Sequence, residues 1–357
     1  MIDFSTKDTL TAKERLAALI DEEPMDRVPF NPCAIGFSAK LYGIDRGEFY
    51  RNPEKAFAAG MHLMKTYPWM NCRPSYGWAD RGAWEFGGRV VWPDGNRFIA
   101  PGSIPLRVLP QKIGDLPDPD PEKAGMNPLV DHFNTLCRKQ GFLASLPGGT
   151  PTTLSAGIVG RPDFLKWLVR YPDAVHMLQK KVTRFIIRTA ETTLKKFGAQ
   201  NCSVFCGVPM ESNQLISAQM FEEFAKPYIR EIFSLYRSSG VKNMVVHLCG
   251  DHIANLKHWK DIDLAPRTVF SIGHEMDLEK TGMVIGAAHI LAGNINNETL
   301  HRASPGAVRQ EVGRCLSAGM KHPGGFMLMP SCEFPPDTPL ENLEAVACAL
   351  FEEGYMR

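Results

Sequence analysis

Features that mark several protein classes are missing from this sequence. It has no basic run that could follow a nucleic-acid backbone, and its net charge of +1 gives no long-range attraction to phosphates or anionic membranes. No apolar stretch approaches the roughly 18 residues that cross a bilayer. The start, MIDFSTKDTLTAKERL, is polar and carries both charge signs, unlike a signal peptide. We therefore expect a cytoplasmic protein that binds neither nucleic acid nor membrane.

A disulfide framework is also not indicated. The chain has nine cysteines, an odd number scattered over 357 residues, which is typical of a protein from a reducing compartment. The cysteines are therefore candidates for buried packing, metal binding or catalysis.

Short apolar runs alternate with helical patterns along most of the chain. Thr11 and Glu14 form a capping box that begins the first helix, and VPFNPC (28–33) follows as a short buried strand. The later apolar runs are FLASLPGG, CSVFCGVP, KNMVVHLCG, TVFSIGH, HILAGNIN and GFMLMPSCE. Helical patterns cover 53–66, 162–170, 172–197, 218–238, 251–259, 305–319 and 339–352.

This alternation predicts an α/β protein whose parallel strands are buried on both faces. We expect a (β/α)8 TIM barrel with an N-terminal helical segment, in a single domain that spans 1–357. A doubly wound open sheet is the alternative, although no GxGxxG turn follows any strand.

The segment of about 70–125 has a different character from the rest. It is rich in aromatic residues, glycine and proline, and alternation in AWEFGGRVVWPDG predicts a β-hairpin insertion. Two interpretations stay open: an irregular insertion with its own aromatic cluster, or a mobile cover over an active site.

Three potential metal ligands lie at strand ends. His247 and Cys249, in VVHLCGD, are two residues apart and would point to the same face of an extended segment. Cys332 follows the run GFMLMP, in the loop before a helix for which Thr338 and Glu341 predict a capping box. Because strand ends share one rim of a barrel, these residues would form an open, catalytic zinc site. The spacing alone also allows one buried histidine with two unrelated cysteines, or a catalytic Cys/His pair.

These motifs resemble the uroporphyrinogen decarboxylase superfamily, and within it the branch of corrinoid-dependent methyltransferases. The resemblance rests on TAKERLAALIDEEPMDRVPF, LISAQMFEEFAKPY, LAGNINNETL and SCEFPPDTPLEN, and on H-x-C followed by a cysteine before PP-x-TP-x-EN. It implies a (β/α)8 barrel and a zinc ion bound by His247, Cys249 and Cys332. The decarboxylases have an arginine-containing motif near the N-terminus, whereas PFNPCAIGFSAKLYG has no arginine to hold an acidic porphyrinogen.

The resemblance implies methyl transfer in which zinc activates an oxygen or a sulfur atom, with no separate catalytic side chain assigned. We expect a cobalamin supplied by a partner corrinoid protein, since the chain lacks a D-x-H-x-x-G cobalamin motif. The insertion is most similar to O-demethylases that take methyl groups from methoxylated aromatics (phenyl methyl ethers). A methylcobalamin:thiol methyltransferase of the coenzyme M type, a uroporphyrinogen decarboxylase and a zinc-stabilised binding protein without turnover are the alternatives.

Further residues are candidates around this rim. Tyr76 and Trp84 could stack on an aromatic substrate, and Asn213 and His274 could bind its polar substituent. Glu211, after CSVFCGVP, is a possible fourth zinc ligand or an acid that complements a helix dipole. We expect three further histidines, His252, His258 and His322, to be surface or helix residues.

Overall fold

The structure, a computed structural model, describes residues 7–95 and 100–356. Its strands are β1 (Arg89–Val91), β2 (Gly102–Ile104), β3 (Ala144–Ser145), β4 (Cys202–Gly207), β5 (Asn243–Leu248), β6 (Val269–Ile272), β7 (Ile290–Ile295) and β8 (Phe326–Pro330). Its α-helices are α1 (Ala12–Asp21), α2 (Ile35–Tyr42), α3 (Arg46–Arg51), α4 (Pro53–Thr66), α5 (Asn127–Lys139), α6 (Pro151–Val159), α7 (Arg161–Arg170), α8 (Pro172–Phe197), α9 (Ala218–Met220), α10 (Lys226–Ser238), α11 (Leu256–Trp259), α12 (Leu278–Ile285), α13 (Asn297–Arg302), α14 (Pro305–Gly319) and α15 (Leu340–Glu353). A π-helical turn, Phe221–Ala225, joins α9 to α10.

The strands and helices follow the order of a (β/α)8 barrel, as the sequence predicted. Strands β3 to β8 form one sheet in chain order, and the pairs β3–β4, β4–β5, β6–β7 and β7–β8 are parallel. Phe30 forms a parallel bridge with Leu328 of β8, and the amide of Asn71 donates to the Phe30 carbonyl at 2.6 Å. The extended segments around Phe30 and Asn71 therefore lie next to β8 and continue the strand order beyond it. No helix in the described part of the chain is both long and apolar enough to span a membrane.

Contacts between Cα atoms divide the chain into two compact units. One unit contains the chain up to Ile44, Ala56–Ser75 and everything from Pro266, and the other contains Asp45–Lys55 and Tyr76–Ala265. The single-domain organisation stays a prediction.

The unit that contains β3, β4 and β5 also contains the predicted insertion. Long helix α8 packs against α6, α7 and α10. Strands β1 and β2 pair antiparallel, with Val90 opposite Ser103, so the predicted small hairpin sheet is present. Residues 96–99, part of the segment predicted as a cover, lie outside the described residues.

The unit that contains β6, β7 and β8 also contains buried charged side chains on and next to helix α1. The predicted Thr11–Glu14 capping box is present at the start of α1. Arg15, whose side chain is only 1% exposed, contacts the carboxylates of Asp8 and Asp26 at 2.9 and 2.6 Å. Burial would raise the pKa of Asp26, but the bonds from Arg15 and from backbone amides hold that pKa well below its usual range.

Several sequence predictions of local structure were wrong. The predicted capping box of Thr338 and Glu341 does not form, because the helix begins one residue later, with Pro339 as its N-cap and no side-chain cap. The Thr338 hydroxyl instead donates to the Pro335 carbonyl at 2.9 Å. Segment 28–33 is not a continuous strand, and within it only Phe30 forms a bridge, to Leu328. The predicted helix 251–259 is confined to a 3-10 turn, Ile253–Asn255, and the short α11.

Candidate metal centre

His247 and Cys249 come at the end of β5. Residues Met244, Val246 and Leu248 form its fully buried apolar face. His247 lies on the other face, as strand alternation requires, and is 7% exposed. The ring of Phe205, on β4, stacks on its imidazole at 5.6 Å between centroids. The strand therefore fixes the imidazole, and Cys249 follows just beyond the strand's last residue.

Cys332 lies two residues beyond the end of β8, between two anchored neighbours. The amide of Ser331 donates to the Ile295 carbonyl at 2.8 Å, which continues the pairing of β7 with β8. The side chain of Asn297 accepts from the Ser331 hydroxyl at 3.2 Å and donates to the Glu333 carbonyl at 2.7 Å. Both neighbours of Cys332 are thus held by one amide group, and the cysteine occupies the predicted loop before a helix.

The structure brings the three predicted ligands together. One ligand atom from each of His247, Cys249 and Cys332 lies within 4.8 Å of the other two. Zinc binds thiolate sulfur at about 2.3 Å and imidazole nitrogen at about 2.0–2.1 Å, so ligand atoms of one tetrahedral site are about 4 Å apart. Both the spacing and the donor set of one nitrogen and two sulfurs therefore fit zinc.

Glu211 is fully buried but is not part of that group. Burial raises its pKa to about 7. Thr150, Thr152 and Thr153 partly offset this effect, although neither carboxylate oxygen has a hydrogen bond of good geometry to any of the described residues. The threonine hydroxyls are therefore near the carboxylate without being well aligned. Near neutral pH, the side chain is balanced between its neutral and charged forms.

The predicted aromatic contacts belong to a cluster of rings that pack on one another. Tyr76 stacks on Phe133 at 5.1 Å, and its hydroxyl donates to the Tyr50 carbonyl at 2.5 Å. Trp84 contacts Trp92 at 5.6 Å and is stacked on the neighbouring Trp78 at 6.3 Å. The first interpretation of the insertion, its own aromatic cluster, matches these contacts.

The two predicted polar contacts have different surroundings. The side chain of Asn213 is held by the segment that follows β5, since it donates to Asn255 Oδ1 at 2.9 Å and accepts from the Ala254 amide at 3.1 Å. The side chain of His274 is 42% exposed and pairs with Glu275 at 3.4 Å. A substrate role for either residue stays a prediction.

Sequence reasoning missed two features near His247. Phe205 is 38% exposed although it lies on an inner strand, so its ring faces open space. The signal was present, because Phe205 and Gly207 alternate with the buried Val204 and Cys206. His252, expected to be a surface or helix residue, is 0% exposed, and burial lowers its pKa to about 4. His322 is likewise buried, at 7% exposure.

Comparisons with known proteins agree with the resemblance predicted from the motifs. The sequence model of the uroporphyrinogen decarboxylase (URO-D) family matches residues 11–352. A methylcobamide:CoM methyltransferase of Methanosarcina barkeri is 27% identical over 95% of this chain and 97% of its own length. A methylated-thiol–coenzyme M methyltransferase of Methanosarcina mazei is 26% identical over 66% of this chain and 61% of its own length.

A solved structure supports the fold. A methyltransferase from Methanosarcina mazei matches with a TM-score of 0.77 at 23% identity, over 96% of this chain and 99% of that one. The barrel fold predicted from the sequence is thereby confirmed.

Proposed function

The chain belongs to the uroporphyrinogen decarboxylase (URO-D) family, and within that family we propose that it is a zinc-dependent methyltransferase that exchanges a methyl group with the cobalamin of a separate corrinoid protein. One observation carries the proposal: the ligand atoms of His247, Cys249 and Cys332 lie within 4.8 Å of one another. The relatives that match 95% of the chain are named methylcobamide:CoM methyltransferases, which supports the same chemistry.

Three protein ligands leave one coordination position for a substrate atom. Zinc would lower the pKa of a substrate thiol bound at that position, or would stabilise a departing oxygen there. The protein's own part is to hold the ligands. Strand β5 orients His247, and the Phe205 ring covers one face of its imidazole and keeps water from that face. The bonds of Asn297 to both neighbours of Cys332 hold that loop.

Glu211 is our proposed fourth ligand in the absence of substrate. Its carboxylate is buried in the same unit as His247 and lacks a well-aligned hydrogen bond to any described residue. A pKa raised to about 7 allows the side chain to ionise at little cost near neutral pH. To act as a ligand, it must move toward the other three, since it is not part of their group.

A thiol is the first substrate class that we propose. The relatives named above act on coenzyme M by name, and one of them also on methylated thiols. A thiol is also the substrate group that gains most from binding to zinc at neutral pH, because coordination favours its thiolate.

A methoxylated aromatic is the second candidate, as the sequence predicted. The ring cluster of the insertion favours it, since Tyr76 and Trp84 offer aromatic surface. This support is weaker, because these rings already pack against other rings. Tyr76, Trp84, Asn213 and His274 stay proposed substrate contacts. Porphyrinogen decarboxylation is disfavoured by the absence of arginine from residues 29–43.

Free cobalamin separates these functions in one spectroscopic assay. The zinc-loaded protein is mixed either with methylcobalamin and a panel of thiols, or with reduced cobalamin and a panel of methoxybenzoates and methoxyphenols. We expect thiol-dependent loss of the methylcobalamin spectrum. Formation of methylcobalamin from an aromatic ether alone would establish the second candidate. Failure of both reactions, with carbon dioxide released from a porphyrinogen, would overturn the methyltransferase proposal.

A further inference from the structure

Two fully buried polar side chains follow the H-x-C segment and lie in no predicted site. His252 and Asn255 are both 0% exposed. A buried polar group costs free energy unless its hydrogen bonds are made, so the partners of these two side chains show what they hold in place.

The two side chains form a chain of hydrogen bonds that ends at Cys249. His252 Nε2 lies 3.2 Å from the Cys249 carbonyl oxygen. On the other side of the ring, Nδ1 lies 3.4 Å from Nδ2 of Asn255. A carbonyl only accepts and an amide NH2 only donates, so the ring must carry its proton on Nε2. The amide of Asn255 thereby selects the tautomer that donates to Cys249.

The same amide is anchored on the neighbouring loop. Asn255 Nδ2 donates to the Glu211 carbonyl at 2.7 Å, and Asn255 Oδ1 accepts from Asn213 at 2.9 Å. The two protons of its NH2 group therefore serve Glu211 and His252. The loop after β4 and the loop after β5 are locked to one another through this side chain.

Cys249 needs such support because it lies beyond the ordered strand. Strand β5 ends at Leu248, and Gly250, with φ of 91°, then turns the chain. A Cβ atom at Gly250 would lie 2.7 Å from the Ser212 hydroxyl, so the turn is packed tightly on the loop after β4. The Cys249 backbone is thus fixed on one side by the strand and on the other by His252.

We propose that His252, held by Asn255 in its Nε2–H tautomer, is a positioning residue that fixes the Cys249 thiol for metal binding. This inference rests on the proposed zinc site. Groups that orient metal ligands typically contribute about 10–100-fold to metal affinity. We therefore expect His252→Phe, which keeps a ring and loses both nitrogens, to weaken zinc binding by about 10–100-fold. His252→Gln, which restores an NH2 donor, should recover part of the loss.

Zinc affinity from chelator competition and the thiolate-to-metal absorption of the Co²⁺-substituted protein are the readouts. The matched control is His322→Phe, since His322 is another buried histidine whose Nε2 lies 2.9 Å from a backbone oxygen, that of His289. This variant should lose stability but keep zinc affinity within about twofold, because His322 is not connected to a ligand. Equal losses of affinity in His252→Phe and His322→Phe, or wild-type affinity in His252→Phe, would overturn the positioning role.

A measurement on the wild-type protein does not depend on whether a variant folds. The ¹⁵N shifts of the His252 ring distinguish the two tautomers directly. We expect protonated Nε2 and unprotonated Nδ1, and the opposite tautomer would overturn the inference. A wild-type protein that binds no zinc would overturn the metal site and this role together, whereas normal binding in wild type and in His252→Phe would overturn the role alone.

Discussion

Replacing Glu211 with glutamine removes a buried carboxyl group whose pKa is raised. Burial raises this pKa from 4.5 to about 7. Below pH 4.5 the folded and unfolded states are both protonated, and the carboxyl group has no pH-dependent effect on stability. Between pH 4.5 and 7 the unfolded state loses its proton first, so the free energy of unfolding falls as the pH rises. Above pH 7 both states are ionised, and the full penalty, about 3.5 kcal/mol at about 1.4 kcal/mol per pKa unit, is present.

Glu211→Gln should therefore stabilise the zinc-free protein at pH 8.5 and have little effect at pH 4.5. Urea unfolding at the two pH values measures the difference in the free energy of unfolding, which should approach about 3.5 kcal/mol. Glu85→Gln is the control, because Glu85 is also buried but is paired with Arg81 at 2.9 Å. That variant should lose stability at both pH values. A Glu211→Gln variant with the same change in stability at both pH values would refute the reasoning.

Three further variants test the packing and the site. Phe205→Leu loses a stacking contact with His247 of about 0.5–1.5 kcal/mol. This loss should lower kcat/KM for methyl transfer by about two- to tenfold at unchanged zinc content. An unchanged kcat/KM would contradict the proposed role of Phe205 beside the metal ligand. Arg15→Met leaves the Asp26 carboxylate buried without its partner and should cost about 3–5 kcal/mol in urea unfolding. Gly157→Ala would put a Cβ atom 1.9 Å from the Arg81 carbonyl oxygen, so we expect a loss of at least about 1–3 kcal/mol; wild-type stability in either variant would count against the packing described.

The main features of the fold and site could be predicted because they depend on local sequence patterns. Periodicity placed α4, α8 and α14 at the bounds that the structure shows. His247 and Cys249 were predictable as a pair because alternation in an extended strand is independent of the surroundings. Cys332 was predictable because it lies in a loop between an apolar run and a helix.

The remaining features depend on contacts between distant parts of the chain. The burial of His252 depends on Asn255 and the Glu211 backbone, and the raised pKa of Glu211 depends on the protein interior around it. Neither is visible in a local pattern. The predicted Thr338 capping box was wrong because α15 begins at Leu340, with Pro339 as its N-cap, one residue later than the box requires. This start depends on the conformation of the turn before the helix rather than on residue spacing.

The zinc content of Cys332→Ala tests the central claim most directly. Cys348→Ala is the matched control, because Cys348 is also a half-buried free cysteine but lies within helix α15. Both variants and the wild-type protein are purified in parallel and analysed for metal after dialysis against a weak chelator. We predict one zinc ion per chain in wild type and in Cys348→Ala, and loss of zinc from Cys332→Ala. Stoichiometric zinc in Cys332→Ala would contradict the proposed metal centre.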